Sequence, residues 1–268
     1  AGAPRSGAAR ARGGDGATAA THDSFRGFPG TFDATLALAP HVVGCGFRLQ
    51  INSTLTRSNI HEAPALLKQV IDMGAHMWYT FFLVPTGRGT QLHSLSPTER
   101  EDVLHWLHDV SDRIAIKTTE APQYRRVALQ RKQPDYAYSG GDLYQQLTAQ
   151  THKLLGEVPV KPRRPRPPMA VNSGSGFAFI DHIGDVYPSG FLPLHCGNVT
   201  DTSFADIYEH SPVFQNLRDP DHWEGKCSVC EFHTVCGGSR STAYAMTGNY
   251  RASDPTCSYV PPAWKKSS

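Results

Sequence analysis

From Gly30 onward the spacing of hydrophobic positions alternates between the period of a strand and that of a helix, which predicts parallel strands joined by crossover helices. Phe47, Leu49 and Ile51 alternate with Arg48 and Gln50, the pattern of a strand with one more polar face. A helix is predicted next: Asn59 caps it with Glu62 reaching back, Leu66, Leu67, Val70 and Ile71 form the apolar stripe, and Gly74 ends it. Trp78 to Val84 is a continuous apolar run bounded by Pro85, Gly87 and Gly89, as expected of a strand buried on both faces. Ser96, Pro97 and Glu99 then spell a capping box ahead of the stripe Val103, Leu104, Leu107 and Val110. Ile114 to Thr118 reads as a further strand and Leu143 to Leu155 as a further helix.

Beyond that helix the pattern breaks. Pro159 to Pro168 cannot continue a helix, because proline lacks the N–H and fixes φ, so 159–168 is expected to be a linker whose Lys161, Arg163, Arg164 and Arg166 are solvated. Phe177 to Ile180 and Asp185 to Tyr187 predict a hairpin around Gly184, and Phe204 to Tyr208 the start of a short helix. Residues 1–20 are nearly all Ala, Gly, Arg, Ser and Pro and are expected to be a disordered tail, since they bury too little apolar area to offset ordering entropy.

Composition narrows the function classes. The net charge of +2 gives no general electrostatic reason to expect nucleic acid or a membrane surface as a partner, and no apolar stretch approaches the roughly 20 residues that span a bilayer. Four of the six cysteines crowd the last 42 residues, in a chain too large for a disulfide scaffold and without a signal-peptide core near its start, so a reducing cytoplasm is expected.

Cys227-x2-Cys230-x5-Cys236 followed by Cys257 supplies four thiolates, enough for zinc or for a cubane iron-sulfur cluster. Gly237 and Gly238 after the third cysteine would let backbone N–H groups approach sulfur, and the second pair is no zinc knuckle. From spacing alone a cluster, zinc, and unligated or disulfide-bonded thiols all stay open. Elsewhere, Cys45 is expected to be a small core residue at a strand start and Cys196 an ordinary buried thiol. His105 and His108 share a helix face without a third ligand and are expected to be solvated, as are His195, His222 and His233, which flank the cysteines.

KCSVCEFHTVCGGSRSTAYAMTGNYRASDPTC (Lys226 to Cys257) resembles the C-terminal SPASM or twitch segment of radical S-adenosylmethionine (SAM) enzymes, and GFLPLHCGNV (Gly190 to Val199) the strand before it. HDSFRG (His22 to Gly27), INSTLTRSN (Ile51 to Asn59), FFLVPTGRG (Phe81 to Gly89) and KTTEAP (Lys117 to Pro122) resemble the second half of the radical SAM barrel in the same subfamily. The resemblance implies that Cys227, Cys230, Cys236 and Cys257 bind one auxiliary 4Fe-4S cluster; Arg240 stands where two-cluster members carry another cysteine. It also implies that Asn52, Thr54, Arg57, Asn59 and the turn with Pro85, Gly87 and Arg88 contact SAM. The CxxxCxxC triplet that holds the SAM-cleaving cluster is missing from these 268 residues, and only Asp15 and Gly16 are expected to remain of the fourth barrel strand, as in a truncated product.

The expected fold class is therefore α/β: a partial (β/α)6 radical SAM-type barrel over 21–158, the linker 159–168, and a small α+β SPASM/twitch iron-sulfur domain over 169–268. What the resemblance implies for function is radical modification of a peptide or tetrapyrrole-type substrate by the intact enzyme, with an electron donor such as ferredoxin or flavodoxin, and no SAM cleavage by this chain alone. Catalytic residues are not named by it. A non-catalytic iron-sulfur electron carrier and a zinc-stabilised binding module are the alternatives.

Overall fold

The structure, a computed structural model, describes residues 9–157 and 171–264, so the linker expected over 159–168 lies outside the described residues. The order of elements is β1 (Ala9–Gly13), α1 (Ala19–Arg26), α2 (Thr31–Gly44), β2 (Arg48–Leu55), α3 (Ala63–Asp72), β3 (Met77–Phe82), α4 (Pro97–Val110) and β4 (Ala115–Thr119). There follow α5 (Gln123–Gln130), α6 (Asp142–Leu155), β5 (Phe179–Ile180), β6 (Asp185–Tyr187), β7 (Gly197–Asn198), α7 (Phe204–His210), α8 (Pro212–Arg218) and α9 (Arg240–Thr247). These form two compact units, one of residues 9–83, 92–119 and 137–157, the other of 84–91, 120–136 and 171–264.

In the first unit β1 to β4 make one parallel sheet in sequential order. Every crossover therefore steps the same way, the winding of a barrel and not of a doubly wound sheet. Leu49, Ile51 and Leu55 of β2 are buried together with Leu66, Leu67 and Val70 of α3 and Val103, Leu104 and Leu107 of α4. Trp78 and Trp106 meet edge to face at 6.0 Å. Each indole N–H has a partner, Trp78 Nε1 donating to Ser53 Oγ at 2.8 Å and Trp106 Nε1 to Thr151 Oγ1 at 3.0 Å, so both large side chains are buried without an orphaned donor. The Ser96 capping box forms as expected, Glu99 N donating to Ser96 Oγ and Ser96 N to Glu99 Oε2.

Several expectations are corrected. Residues 9–20 are ordered: Ala9–Gly13 pairs with Arg48–Asn52, and α1 starts from a Thr18 cap. Its Ala and Arg side chains bury little, but the open backbone edge of β2 supplies the hydrogen bonds that make it a strand. Strand thus precedes Asp15, where only the strand's end was expected. Asn59 does not cap a helix with its side chain; it accepts from Thr56 N at 2.8 Å and donates to Thr54 O at 2.7 Å and Asp15 O at 2.9 Å. Glu62 turns instead to Ala17 N, at 2.7 Å, and to the Thr21 hydroxyl. β3 is not buried on both faces, because Tyr79 and Phe81 are partly exposed while Trp78, Thr80 and Phe82 point inward. Cys45 is exposed, at the C-terminal cap of α2. His105 is fully buried and stacks on Tyr138 at 3.6 Å, a site that periodicity alone does not reveal.

The second unit contains the expected hairpin, β5 against β6, with β7 added as a third antiparallel strand. Gly184 turns it at φ +92°, a conformation that favours glycine. Its small apolar centre is Val186, Ile207 and Phe214, with Cys196 packed alongside. Among the described residues no helix is long and apolar enough to cross a membrane.

Candidate metal centre

All four C-terminal cysteines line one cavity of the second unit, together with Arg126, Lys226, His233, Gly237, Gly238, Tyr259 and Pro261. Local backbone turns aim the sulfurs. Cys227 closes the short helical turn Gly225–Cys227, its N–H donating to Ser253 Oγ at 3.0 Å. Cys236 N donates to Phe232 O at 2.8 Å, which folds the x5 segment back toward the CxxC turn. Lys226 Nζ donates to the Cys257 carbonyl, tying the last cysteine to the residue before the first. Asn172 Nδ2 holds the carbonyls of Cys236 and Gly238 at 3.2 and 3.0 Å.

The two glycines after Cys236 are required by space as well as by conformation. Both have φ +67°; a Cβ on Gly237 would lie 2.6 Å from the Trp223 ring, and one on Gly238 2.6 Å from Arg240 Nη2 and 3.3 Å from Cys227 Sγ. The backbone N–H groups of Phe232, Gly238 and Tyr259 hydrogen-bond the sulfurs of Cys230, Cys236 and Cys257, each from two residues further along. Such donors orient a thiolate and disperse its charge.

Burial sets the electrostatics. It pushes the Cys236 thiol up to about 12 and the Cys257 thiol to about 11, and raises Cys230 as well, while backbone N–H groups and the Arg126 guanidinium act in the opposite direction. Neutral thiols are favoured in the apoprotein, so binding of a metal group must release protons. Four cysteines around one cavity, two buried and two partly buried, met by N–H donors and two cationic side chains, fit an anionic polythiolate group. Among the described residues no three His, Cys, Asp or Glu are grouped so as to hold a metal ion.

A buried polar layer fixes this arrangement. Asp254, fully buried, accepts from Gln123 Nε2 at 2.6 Å, Ser239 N at 2.8 Å, Thr256 N at 2.9 Å and Thr256 Oγ1 at 2.6 Å. Glu120, at φ 57°, accepts from Ser239 Oγ at 2.5 Å and Ser241 Oγ at 3.2 Å at the start of α9. Arg240 is a structural clamp, its Nη1 donating to the carbonyls of Tyr250 at 3.1 Å and Ala252 at 2.9 Å and its guanidinium 5.0 Å from the Trp223 ring. Sequence reasoning missed Glu120, Gln123, Arg126 and Asp254 as parts of the site. No spacing rule links α5 to cysteines so far along the chain.

Other expected site residues lie elsewhere. Asn52, Thr54, Arg57 and Asn59 fall in the first unit, and Pro85, Gly87 and Arg88 in the second. Thr54 N donates to Asp15 Oδ1 at 2.7 Å, Asn52 Oδ1 accepts from Gln50, and exposed Arg57 pairs with Glu99 at 2.9 Å. The Asn59 amide is fully committed to the chain itself. Cys196 does not line the cavity; its thiol donates to Leu194 O at 3.3 Å and burial raises its pKa. His195 and His222 are exposed and pair with Asp185 and Asp219, whereas half-buried His233 lines the cavity, its Nδ1 2.6 Å from Cys230 O.

The SPASM family model, described as an iron-sulfur cluster-binding domain, matches residues 172–231, a span that includes Cys227 and Cys230 and ends before Cys236. The chain is 37% identical over 249 residues to an AdoMet-dependent heme synthase of Methanosarcina barkeri, covering 92% of this chain and 66% of that protein. To the heme synthase of Nitratidesulfovibrio vulgaris it is 38% identical over 251 residues, covering 92% and 64%. The chain thus spans about two thirds of the length of these curated relatives. Streptococcus suis SuiB bound to its precursor peptide SuiA matches in fold, with a TM-score of 0.60 at 12% identity over 93% of this chain and 53% of SuiB.

Proposed function

The chain belongs to the radical SAM/SPASM family, and on that premise we propose that Cys227, Cys230, Cys236 and Cys257 hold one auxiliary 4Fe-4S cluster. The observation that carries the proposal is the set of four thiols lining a single cavity, three of them receiving a backbone N–H. When bound, such a cluster supplies one-electron transfer or a point of substrate ligation. The chain's own contribution is to bind it, exclude water from it, and aim N–H dipoles at its sulfurs. Zinc is the second reading, since four thiolates also suit a single tetrahedral ion. Anaerobic reconstitution with iron and sulfide tests the choice: about four irons per chain with broad visible absorption is expected for a cubane, and one tightly held zinc without iron would overturn it.

For the whole enzyme we propose SAM-dependent radical chemistry on a tetrapyrrole. Sequence likeness at 37–38% to heme synthases supports this over a peptide substrate, for which the SuiB likeness speaks to fold alone. A ferredoxin- or flavodoxin-type protein is the proposed electron donor. SAM contact is proposed, from the resemblance, for Asn52, Thr54 and Arg57, with Asn59 serving to hold Thr54 and Asp15 in place. The same resemblance nominates Pro85, Gly87 and Arg88. Because these 268 residues contain no CxxxCxxC triplet, the chain by itself is expected to form no 5′-deoxyadenosine from SAM. Formation above background would refute that expectation, and reduction of an acceptor without SAM consumption would favour the electron-carrier reading.

A further inference from the structure

We propose that Arg126 is the charge-compensating residue of the cysteine site, the cation that sets how readily the group held there accepts an electron. The proposal rests on the cluster reading above and adds to it a residue outside the cysteine-bearing segment. Arg126 is 1% exposed and lines the cavity with all four cysteines. Its guanidinium lies 4.8 Å from the centre of the Tyr259 ring, and Nη1 donates to Gln130 Oε1 at 2.7 Å, so the charged end is braced on two sides.

Neighbouring residues of α5 fix the helix that carries it. Gln123 Nε2 is bound to Asp254 at 2.6 Å, and Arg125 donates to Val235 O at 2.8 Å and to Val171 O. These ties anchor α5 to both sides of the cysteine loops, so Arg126 is held at the cavity by backbone geometry instead of by a mobile surface side chain. Lys226, the other cation of the lining, donates to the Cys257 carbonyl.

The physical consequence concerns charge. Four thiolates give a bound cubane a net negative charge, and burying it is costly unless an opposite charge is near. Adding one electron increases that negative charge, so a fixed buried cation stabilises the reduced form more than the oxidised form and raises the reduction potential. Removing the cation while keeping an apolar stem of similar length leaves the ligands in place and makes reduction harder.

The test compares reconstituted wild type with Arg126→Met and Arg126→Lys, reading iron and sulfide content together with the midpoint potential from an EPR-monitored redox titration. Arg126→Met is expected to keep about four irons and to reduce at a clearly more negative potential, with Arg126→Lys close to wild type. Full iron in Arg126→Met at the wild-type potential would overturn the proposal while leaving the cluster reading intact. Should Arg126→Met lose its iron, Arg126→Lys decides: retention of iron near the wild-type potential supports a role through charge, and equal loss of iron assigns Arg126 to packing and overturns it. Wild type that binds no iron would remove the cluster reading itself, and this proposal with it.

Discussion

The two units are held together by different means. The first buries Trp78, Trp106, Leu49, Ile51, Leu67 and Leu104 around a four-stranded parallel sheet, and hydrocarbon burial is its main stabilising term. The second has a small apolar centre, and the polar residues Ser239, Arg240, Ser241, Thr242 and Asp254 are fully buried in it as well. Polar groups in such a layer stabilise only while every partner is present. The first unit is expected to tolerate the loss of any bound group, and the second to depend on one, because cluster binding free energy is also folding free energy.

The largest expected effect tests that dependence. Cys230→Ala should abolish iron retention and open residues 171–264 to protease, mapped by mass spectrometry, while Cys45→Ala keeps its iron and costs almost nothing because Cys45 is exposed. Equal iron loss in both variants would show the ligand assignment to be wrong. Next, Trp78→Ala should cost about 3–5 kcal/mol through the cavity it leaves, with hydrogen exchange rising in β2 and β3 and iron content unchanged. Iron loss in that variant would mean that the two units do not answer separately. Asp254→Ala should follow, at about 1–3 kcal/mol for each buried donor left without a partner; the expected readout is weakened cluster retention with the exchange of β2 and β3 unaltered.

The smallest expected effect is a pH slope in the first unit. Burial holds the His22 imidazole below its ordinary pKa, against the pull of Asp15 and with Arg26 and Asp23 also facing it, and its Nδ1 accepts from Asp15 N at 3.1 Å. The unfolded chain therefore takes up this proton first, and His22's contribution, present above about pH 6.5, is lost as pH falls through that value. Asp15, raised by burial despite its bond to Thr54 N and its Arg26 partner, has the opposite sign: its contribution is greatest below the ordinary carboxyl value and declines as pH rises through the raised one. Subtracting the Tm slope of His22→Gln between pH 7.5 and 5.5 from that of wild type isolates His22. Identical slopes would remove it from the account.

Much of the fold was legible because local rules and tertiary demands agree. The stripe Val103, Leu104, Leu107 and Val110 with its Ser96 capping box, the alternation through β2, and the hairpin at Gly184 each carry their signal within about one element's length. The cysteine site was legible for the same reason, since Cys227, Cys230, Cys236, Gly237 and Gly238 occupy a short stretch with a spacing that chemistry restricts. Where a residue serves a distant partner, the local signal misled. Asn59 looks like a cap yet bridges Asp15 and Thr54, and His105 on a helix otherwise rich in charge stacks on Tyr138 in the interior.

By itself, then, the amino-acid sequence determined several of the strands and helices, the α/β class, and the four cysteines proposed as ligands, because periodicity and cysteine spacing are properties of neighbours along the chain. Only the tertiary structure decided that Ala9–Gly13 is a strand and that α5, through Arg126, contributes to the lining of the cysteine cavity. A strand without its own apolar face forms only when another strand offers a free edge, and a side chain reaches a cavity built by remote segments only through the packing of the folded chain.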